Sequence, residues 1–122
     1  FGLSYSSFFY DKLTLKSSTI SATQSLEVSV DITNTSDRDG DEVVQVYYRD
    51  LVAQVTRPVK ELCAFKKIHL NAKSTQTVTF TIDAQRFGYF TADFRFIVEP
   101  GAFALWVGPS SDEGLTTEFT IR

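Results

Sequence analysis

The chain has 122 residues, of which 43% are hydrophobic and 22% charged, a balance typical of one globular domain and unlike that of a disordered segment. Its net charge of −3 argues against nucleic acid as a partner, because proteins that bind it usually present a basic face. No apolar run approaches the ~20 residues that a bilayer-spanning helix needs, so no membrane partner is expected. Because the chain begins with Phe1 and lacks methionine, we expect it to be part of a longer or processed product.

Alternating apolar and polar residues predict a series of β-strands along the chain. Phe9, Leu13 and Leu15 indicate an opening strand. Polar turn residues separate the later runs, and Asp83–Phe87 is predicted to form one short helical turn capped by Asp83. The alternating apolar positions are Leu26, Val28, Val30 and Ile32; Val44, Val46 and Tyr48; Val78, Phe80 and Ile82; Phe94, Phe96 and Val98; Phe103, Leu105 and Val107; and Phe119 and Ile121.

About seven short strands in a chain of this size predict an all-β fold, an antiparallel β-sandwich of immunoglobulin type. We expect residues 1–122 to form a single domain, with residues 1–7 as a linker from an upstream domain that this chain lacks.

The residues that could carry chemistry do not form a recognisable catalytic or metal site. The cluster from Asp37 to Glu42 is rich in carboxylates that could bind calcium, but its spacing does not match the twelve-residue calcium loop, which favours a solvated turn. Cys63 and His69 are the single cysteine and histidine, too few for a conventional zinc site. We expect Cys63 to be a small buried side chain and His69 to face solvent. No catalytic residue, metal or cofactor is predicted.

Three aromatic residues could stack on sugars if they are exposed: Trp106, Tyr47 and Tyr89. The alternative is that these rings cover a sheet or an interdomain contact, which their irregular spacing favours. Asn34 begins the triplet Asn-Thr-Ser, which matches the N-glycosylation pattern.

Five segments together resemble the fibronectin type III-like C-terminal domain of glycoside hydrolase family three, the β-glucosidase and β-xylosidase family. VTRPVKELCAFKKIHL carries the closest similarity, because the family usually has Arg-Pro-x-Lys-Glu-Leu there, followed by a basic or polar residue, Gly and Phe. Cys63 and Ala64 replace that basic residue and Gly, so the backbone there is expected to lack a positive φ angle. Phe94 and Phe96 stand where Gly and Trp are common. The other four segments are FGLSYSSFFYDKL, VDITNTSDRDGDEVVQVYYRD, TQTVTFTID and FIVEPGAFALWVGPSSDE.

The resemblance implies an accessory domain, because the family's nucleophile and acid/base lie in upstream domains that this chain does not contain. Its expected partners are those upstream catalytic domains, which it would pack on and stabilise. Export to the periplasm or medium is also implied. The segment around Arg57, Pro58, Lys60, Glu61 and Phe65 is the candidate interdomain docking surface. The alternative functions are a module that binds oligo- or polysaccharide and a protein-interaction module.

Overall fold

The computed structural model describes residues 7–51 and 60–122, which form two facing β-sheets and a small hairpin. Within these two ranges, seven strands have seven or more residues and three have two, which agrees with the predicted number of main strands. The strands are β1 (Phe8–Leu15), β2 (Thr19–Ile20), β3 (Ser25–Asn34), β4 (Gly40–Asp50), β5 (Glu61–Leu70), β6 (Thr75–Asp83), β7 (Tyr89–Phe90), β8 (Phe96–Ile97), β9 (Gly101–Gly108) and β10 (Leu115–Ile121).

The strands pair into one sheet ordered β1-β3-β6 and a larger sheet ordered β2-β10-β9-β4-β5, with β7 and β8 as a separate hairpin. Among the described strands, all pairs are antiparallel except β2 with β10, where Thr19 lies beside Thr120 and Ile20 beside Ile121. The predicted antiparallel β-sandwich is confirmed.

The core lies between the two sheets, where the alternating apolar side chains meet. Leu26, Val28, Val30 and Ile32 of β3 are fully buried, as the period-two pattern predicts. Aromatic rings fill the centre of the larger sheet's inner face, with Phe103 and Phe119 stacked at 5.1 Å between ring centroids. Burial of these apolar surfaces is the main force that holds the sheets together.

A short 3₁₀ helix (Ala84–Phe87) closes one end of the core. The Asp83 carboxylate accepts a hydrogen bond from the Gln85 N–H at 2.9 Å, so the predicted cap is confirmed. This helix places the ring of Phe87 in the core, where its centroid lies 5.0 Å from that of Tyr48 in an edge-on arrangement. None of the helices formed by the described residues is long and apolar enough to cross a membrane.

The expectation of a strand through Phe94, Phe96 and Val98 is wrong for most of its length. Phe94 has a φ of 63° and lies in the turn between β7 and β8, where its ring is 87% exposed. Phe96 belongs to the two-residue strand β8 and is 43% exposed. The apolar spacing is correct for a strand, but the tight turn at Thr91–Arg95 separates these residues from the core.

The two ends of the sandwich differ in the polarity of their exposed residues. The end at which β1 begins also carries residues 35–39, 71–74 and 109–114, which are mostly polar. The opposite end carries residues 16–24, which are also mostly polar. It carries in addition the end of β4, the start of β5 and the β7–β8 hairpin. Of the eight large apolar residues that are exposed within residues 7–51 and 60–122, five lie there: Leu51, Leu62, Phe90, Phe94 and Phe96. We call it the apolar end.

Candidate functional site

The predicted docking segment is described in part, because Arg57 and Pro58 lie outside the described residues. The described part is the β5 strip, which we define as Lys60, Glu61, Leu62 and Phe65. It lies on an edge strand of the larger sheet, where Leu62 is 48% and Phe65 66% exposed. Exposed apolar side chains on the outer face of a sheet are suited to contact another protein surface.

A β-bulge fixes the start of β5. Tyr47 pairs with Leu62 and Val46 with Ala64, so Cys63 is left without a direct partner across the strand pair. The Arg86 guanidinium stabilises the bulge, because it donates two hydrogen bonds to the Cys63 carbonyl oxygen, from Nη2 at 2.8 Å and from Nε at 3.3 Å. Arg86 was not predicted as a site residue, since an arginine at the end of a short helical turn is usually solvated.

Cys63 itself is buried, as predicted, with 4% of its surface exposed. Burial raises the pKa of its thiol to about 12, although the nearby positive charge of Arg86 opposes the shift. The thiol therefore stays protonated near neutral pH and is a packing side chain rather than a nucleophile. Neither Cys63 nor Ala64 has a positive φ angle, which agrees with the expectation for this departure from the family pattern.

Trp106 and Tyr47 lie side by side on the outer face of the larger sheet, and both are half-buried. The Lys60 ammonium lies 4.2 Å from the centre of the Trp106 ring and donates to the Ser111 carbonyl oxygen at 2.6 Å. Lys60 therefore covers a face of the Trp106 ring on which a sugar would have to stack. The Tyr47 hydroxyl donates to the Gln45 side-chain oxygen at 2.6 Å.

Tyr89 is not an exposed stacking ring, which corrects the hypothesis made for it. The residue is only 9% exposed, and its hydroxyl donates to the Glu99 carboxylate at 2.9 Å. The loop-like sequence around it suggested exposure, but β7 directs this side chain inward and leaves Phe90 outside.

Asn34 is also corrected, because the glycosylation hypothesis requires a free side-chain amide. The residue is fully buried, and its Nδ2 donates to the carbonyl oxygens of Arg38 at 2.7 Å and Leu70 at 3.1 Å. Its Oδ1 accepts from the Ser36 N–H at 3.0 Å and the Ser36 hydroxyl at 2.8 Å. In the folded domain the triplet is a structural turn that a glycan cannot reach.

The acidic cluster is divided among separate partners. His69 is exposed, as predicted, and its Nδ1 lies 2.7 Å from the Asp41 carboxylate. This hydrogen bond is the largest of the causes that lower the pKa of the Asp41 carboxyl. No group of three or more potential metal-binding side chains converges within residues 7–51 and 60–122. The other carboxylates contact the Lys73 ammonium (Asp37, 3.5 Å), the Ala72 N–H (Asp39, 2.9 Å) and the Tyr10 hydroxyl (Glu42, 3.0 Å).

A second exposed apolar feature was not predicted. We define the phenylalanine hairpin as Tyr89–Ile97, which presents the rings of Phe90, Phe94 and Phe96 with 69%, 87% and 43% exposure. Phe90 and Phe96 contact each other edge-on at 5.2 Å. One sequence signal could have indicated this feature. Phe94 and Phe96 stand where the family commonly has Gly and Trp.

Comparison with known proteins shows where this arrangement recurs. The family model described as "Fibronectin type III-like domain" matches residues 42–111. A β-xylosidase of Formosa agariphila is 41% identical over all of this chain, and a periplasmic β-glucosidase of Salmonella typhimurium is 37% identical over 91% of it. The chain covers 17% and 14% of these two relatives, or about one sixth of their length.

Solved structures give the same result. A β-glucosidase of Erythrobacter marinus superposes with a TM-score of 0.90 and 39% identity over all of this chain and 16% of that enzyme. A β-glucosidase of Listeria innocua in complex with glucose gives 0.89 and 38% over 99% of this chain and 17% of the enzyme.

The chain belongs to the fibronectin type III-like domain family. It is the form of that domain found within β-glucosidases and β-xylosidases of glycoside hydrolase family three.

Proposed function

We propose that this chain is a non-catalytic accessory domain of a family-three glycoside hydrolase, which packs on the catalytic domains of the same polypeptide and stabilises them. The observation that carries this proposal is the β5 strip, where Leu62 and Phe65 expose apolar surface on an edge strand. Removing that surface from water against a neighbouring domain would stabilise both domains by about 25 cal/mol per Å².

The longer enzyme that contains this chain tests the proposal. Phe65→Ser and Leu62→Ser, made together, should lower its melting temperature by several degrees, because the contact with the catalytic domains weakens. The same pair should leave the melting temperature of the 122-residue chain nearly unchanged, because both side chains are exposed in it. Phe9→Ser is the matched control, since Phe9 is 56% exposed on the smaller sheet. Equal melting of the double variant and the control in the longer enzyme would contradict docking through the β5 strip.

The parent activity that we propose is hydrolysis of β-glucosides or β-xylosides, which rests on the names of the relatives. Chromogenic β-glucoside and β-xyloside substrates, offered to the longer enzyme, test this directly. The 122-residue chain should turn over neither. We also propose a periplasmic or secreted location for the parent, supported by the relative named as periplasmic. Cell fractionation of the source organism tests the location.

The alternative proposal, binding of oligo- or polysaccharide, has one supporting observation, the adjacent half-buried rings of Tyr47 and Trp106. Titration of the 122-residue chain with cello- and xylo-oligosaccharides separates it from the first proposal. Binding at this site would change Trp106 fluorescence, and Lys60→Ala should strengthen binding by uncovering the ring. A flat response to millimolar sugar in both proteins would contradict this alternative.

A further inference from the structure

The phenylalanine hairpin combines exposed apolar surface with a strained backbone. Phe94 adopts the left-handed region at φ 63°, which is rare and energetically unfavourable for a bulky side chain. Its ring is 87% exposed, so the conformation gains no burial in return within this domain. Both features are unfavourable for the domain alone. Burial of the ring against another surface would remove the exposure and offset the cost of the strained backbone.

Hydrogen bonds within the turn hold the backbone of Phe94 in this conformation. The Phe94 N–H donates to the Thr91 carbonyl oxygen at 3.0 Å, and the Thr91 N–H donates to the Arg95 carbonyl oxygen at 2.8 Å. The Thr91 hydroxyl also donates to the Asp93 carboxylate. Phe90 and Phe96 contact each other from the two strands, and Phe94 lies in the turn that joins these strands. We treat the three exposed rings of this short hairpin as one apolar patch.

The size of the patch indicates what covers it. The three exposed rings present about 300–500 Å², since an aromatic side chain offers about 150–250 Å². A stable contact between two free proteins buries about 800 Å² on each partner, so this patch is too small to hold a second copy of the chain alone. It is adequate for a neighbour in the same polypeptide, because a tether raises the effective concentration to the millimolar range. The relatives supply such a neighbour, since about five sixths of their length lies outside this domain.

The patch and the start of the β5 strip also lie at the same apolar end of the sandwich. β9 begins just after the hairpin, and its first residues pair with the end of β4, beside the start of β5. We propose that the phenylalanine hairpin is a second docking element that inserts Phe94 into an apolar depression of the catalytic portion of the same polypeptide. This inference rests on the proposed accessory function.

Radical footprinting by mass spectrometry tests the contact directly, by comparing the 122-residue chain with the longer enzyme. Phe90, Phe94 and Phe96 should be modified in the short chain and several-fold less in the longer enzyme. Unprotected hairpin rings beside a protected Phe65 would overturn the hairpin inference and leave the accessory function standing. A domain with no protected residue would overturn both.

Phe94→Gly tests the energetic argument, with Lys12→Gly as a matched control, because Lys12 also has a left-handed φ of 54° but is an exposed residue of β1 in the smaller sheet. Both variants should match or exceed the stability of the unchanged 122-residue chain. In the longer enzyme, Phe94→Gly alone should lower the melting temperature by several degrees. Equal behaviour of the two variants there would overturn the inference, as would a dimer of the 122-residue chain that Phe94→Gly dissociates.

Discussion

At the scale of single residues, Asn34 shows how one buried amide can organise a turn between the two sheets. Four hydrogen bonds connect it to Ser36, Arg38 and Leu70. The Asn-Thr-Ser triplet in the sequence cannot distinguish this role from glycosylation, because the difference lies in burial and not in residue type.

Asn34→Ala should therefore destabilise the domain by about 2–4 kcal/mol, since each buried group left without a partner costs about 1–3 kcal/mol. Urea denaturation of the 122-residue chain measures the change. Asn71→Ala, at an exposed turn residue, is the control and should stay within about 0.5 kcal/mol of the unchanged chain. Similar losses in the two variants would contradict the structural role of Asn34.

Cys63 leads to a prediction about alkaline pH. The folded-state pKa of about 12 lies above the ordinary value of 9.0, so the folded chain retains the proton over this range. The resulting stability is fully present below about pH 9 and is lost as the pH rises toward 12, by at most about 1.4 kcal/mol per pH unit.

Cys63→Ala should remove this part of the pH dependence, whatever it costs at neutral pH through lost packing. Urea midpoints at pH 7, 9 and 10.5 measure the difference between the two proteins, and other titrating groups cancel because both proteins contain them. A difference that stays constant with pH would show that the thiol is not buried as described.

At the scale of elements, the β9–β10 connection depends on two glycines where the backbones approach closely. A Cβ at Gly114, where φ is 142°, would lie 2.3 Å from the Val107 carbonyl oxygen. A Cβ at Gly108 would lie 2.1 Å from the Glu113 carbonyl oxygen. Neither contact can be relieved by rotating a side chain, because both involve backbone atoms.

Gly114→Ala should consequently cost about 1–3 kcal/mol, the usual range for backbone strain. Gly40→Ala is a suitable control, because its Cβ would meet only the tip of the Phe8 ring at 3.2 Å, and that side chain can move. Thermal melts of both variants test the comparison, and equal melting temperatures would contradict the tight closure of this hairpin.

The element scale also shows how far the sequence can predict this fold. Strands buried on one face, such as β3 and β6, have clear period-two patterns and were predicted correctly. The phenylalanine hairpin was not, because Phe94 and Phe96 follow the same spacing as a core strand while a turn places them in solvent. Likewise, the position of Lys60 over Trp106 depends on strand order and register, which alternation alone does not encode.

At the scale of the whole molecule, the open side between β5 and β6 exposes strand edges from both sheets. Lys66 occupies an inward-facing position on β5, opposite the buried Val44. Its ammonium reaches across to the Thr79 carbonyl oxygen of β6 at 2.8 Å. An inward-pointing charge of this kind discourages another chain from pairing with the edge.

Lys66→Leu should therefore promote concentration-dependent self-association of the 122-residue chain, which sedimentation can measure. Lys67→Leu is the matched control, because Lys67 is the next residue on β5 and its side chain is 69% exposed. Association of both variants to the same extent would attribute the effect to added apolar surface and not to the position of the charge.

The parallel pairing of β2 with β10 joins residues 19–20 to residues 120–121, about a hundred positions further along the chain. At a synthesis rate of about 5–20 residues per second, the earlier strand waits about 5–20 s on the ribosome for its partner. The pairing of β2 with β10 therefore cannot form until the other strands named above have been made. Until β10 has been made, the inner face of the larger sheet lacks Phe119 and Ile121, so the apolar core stays incomplete for that time.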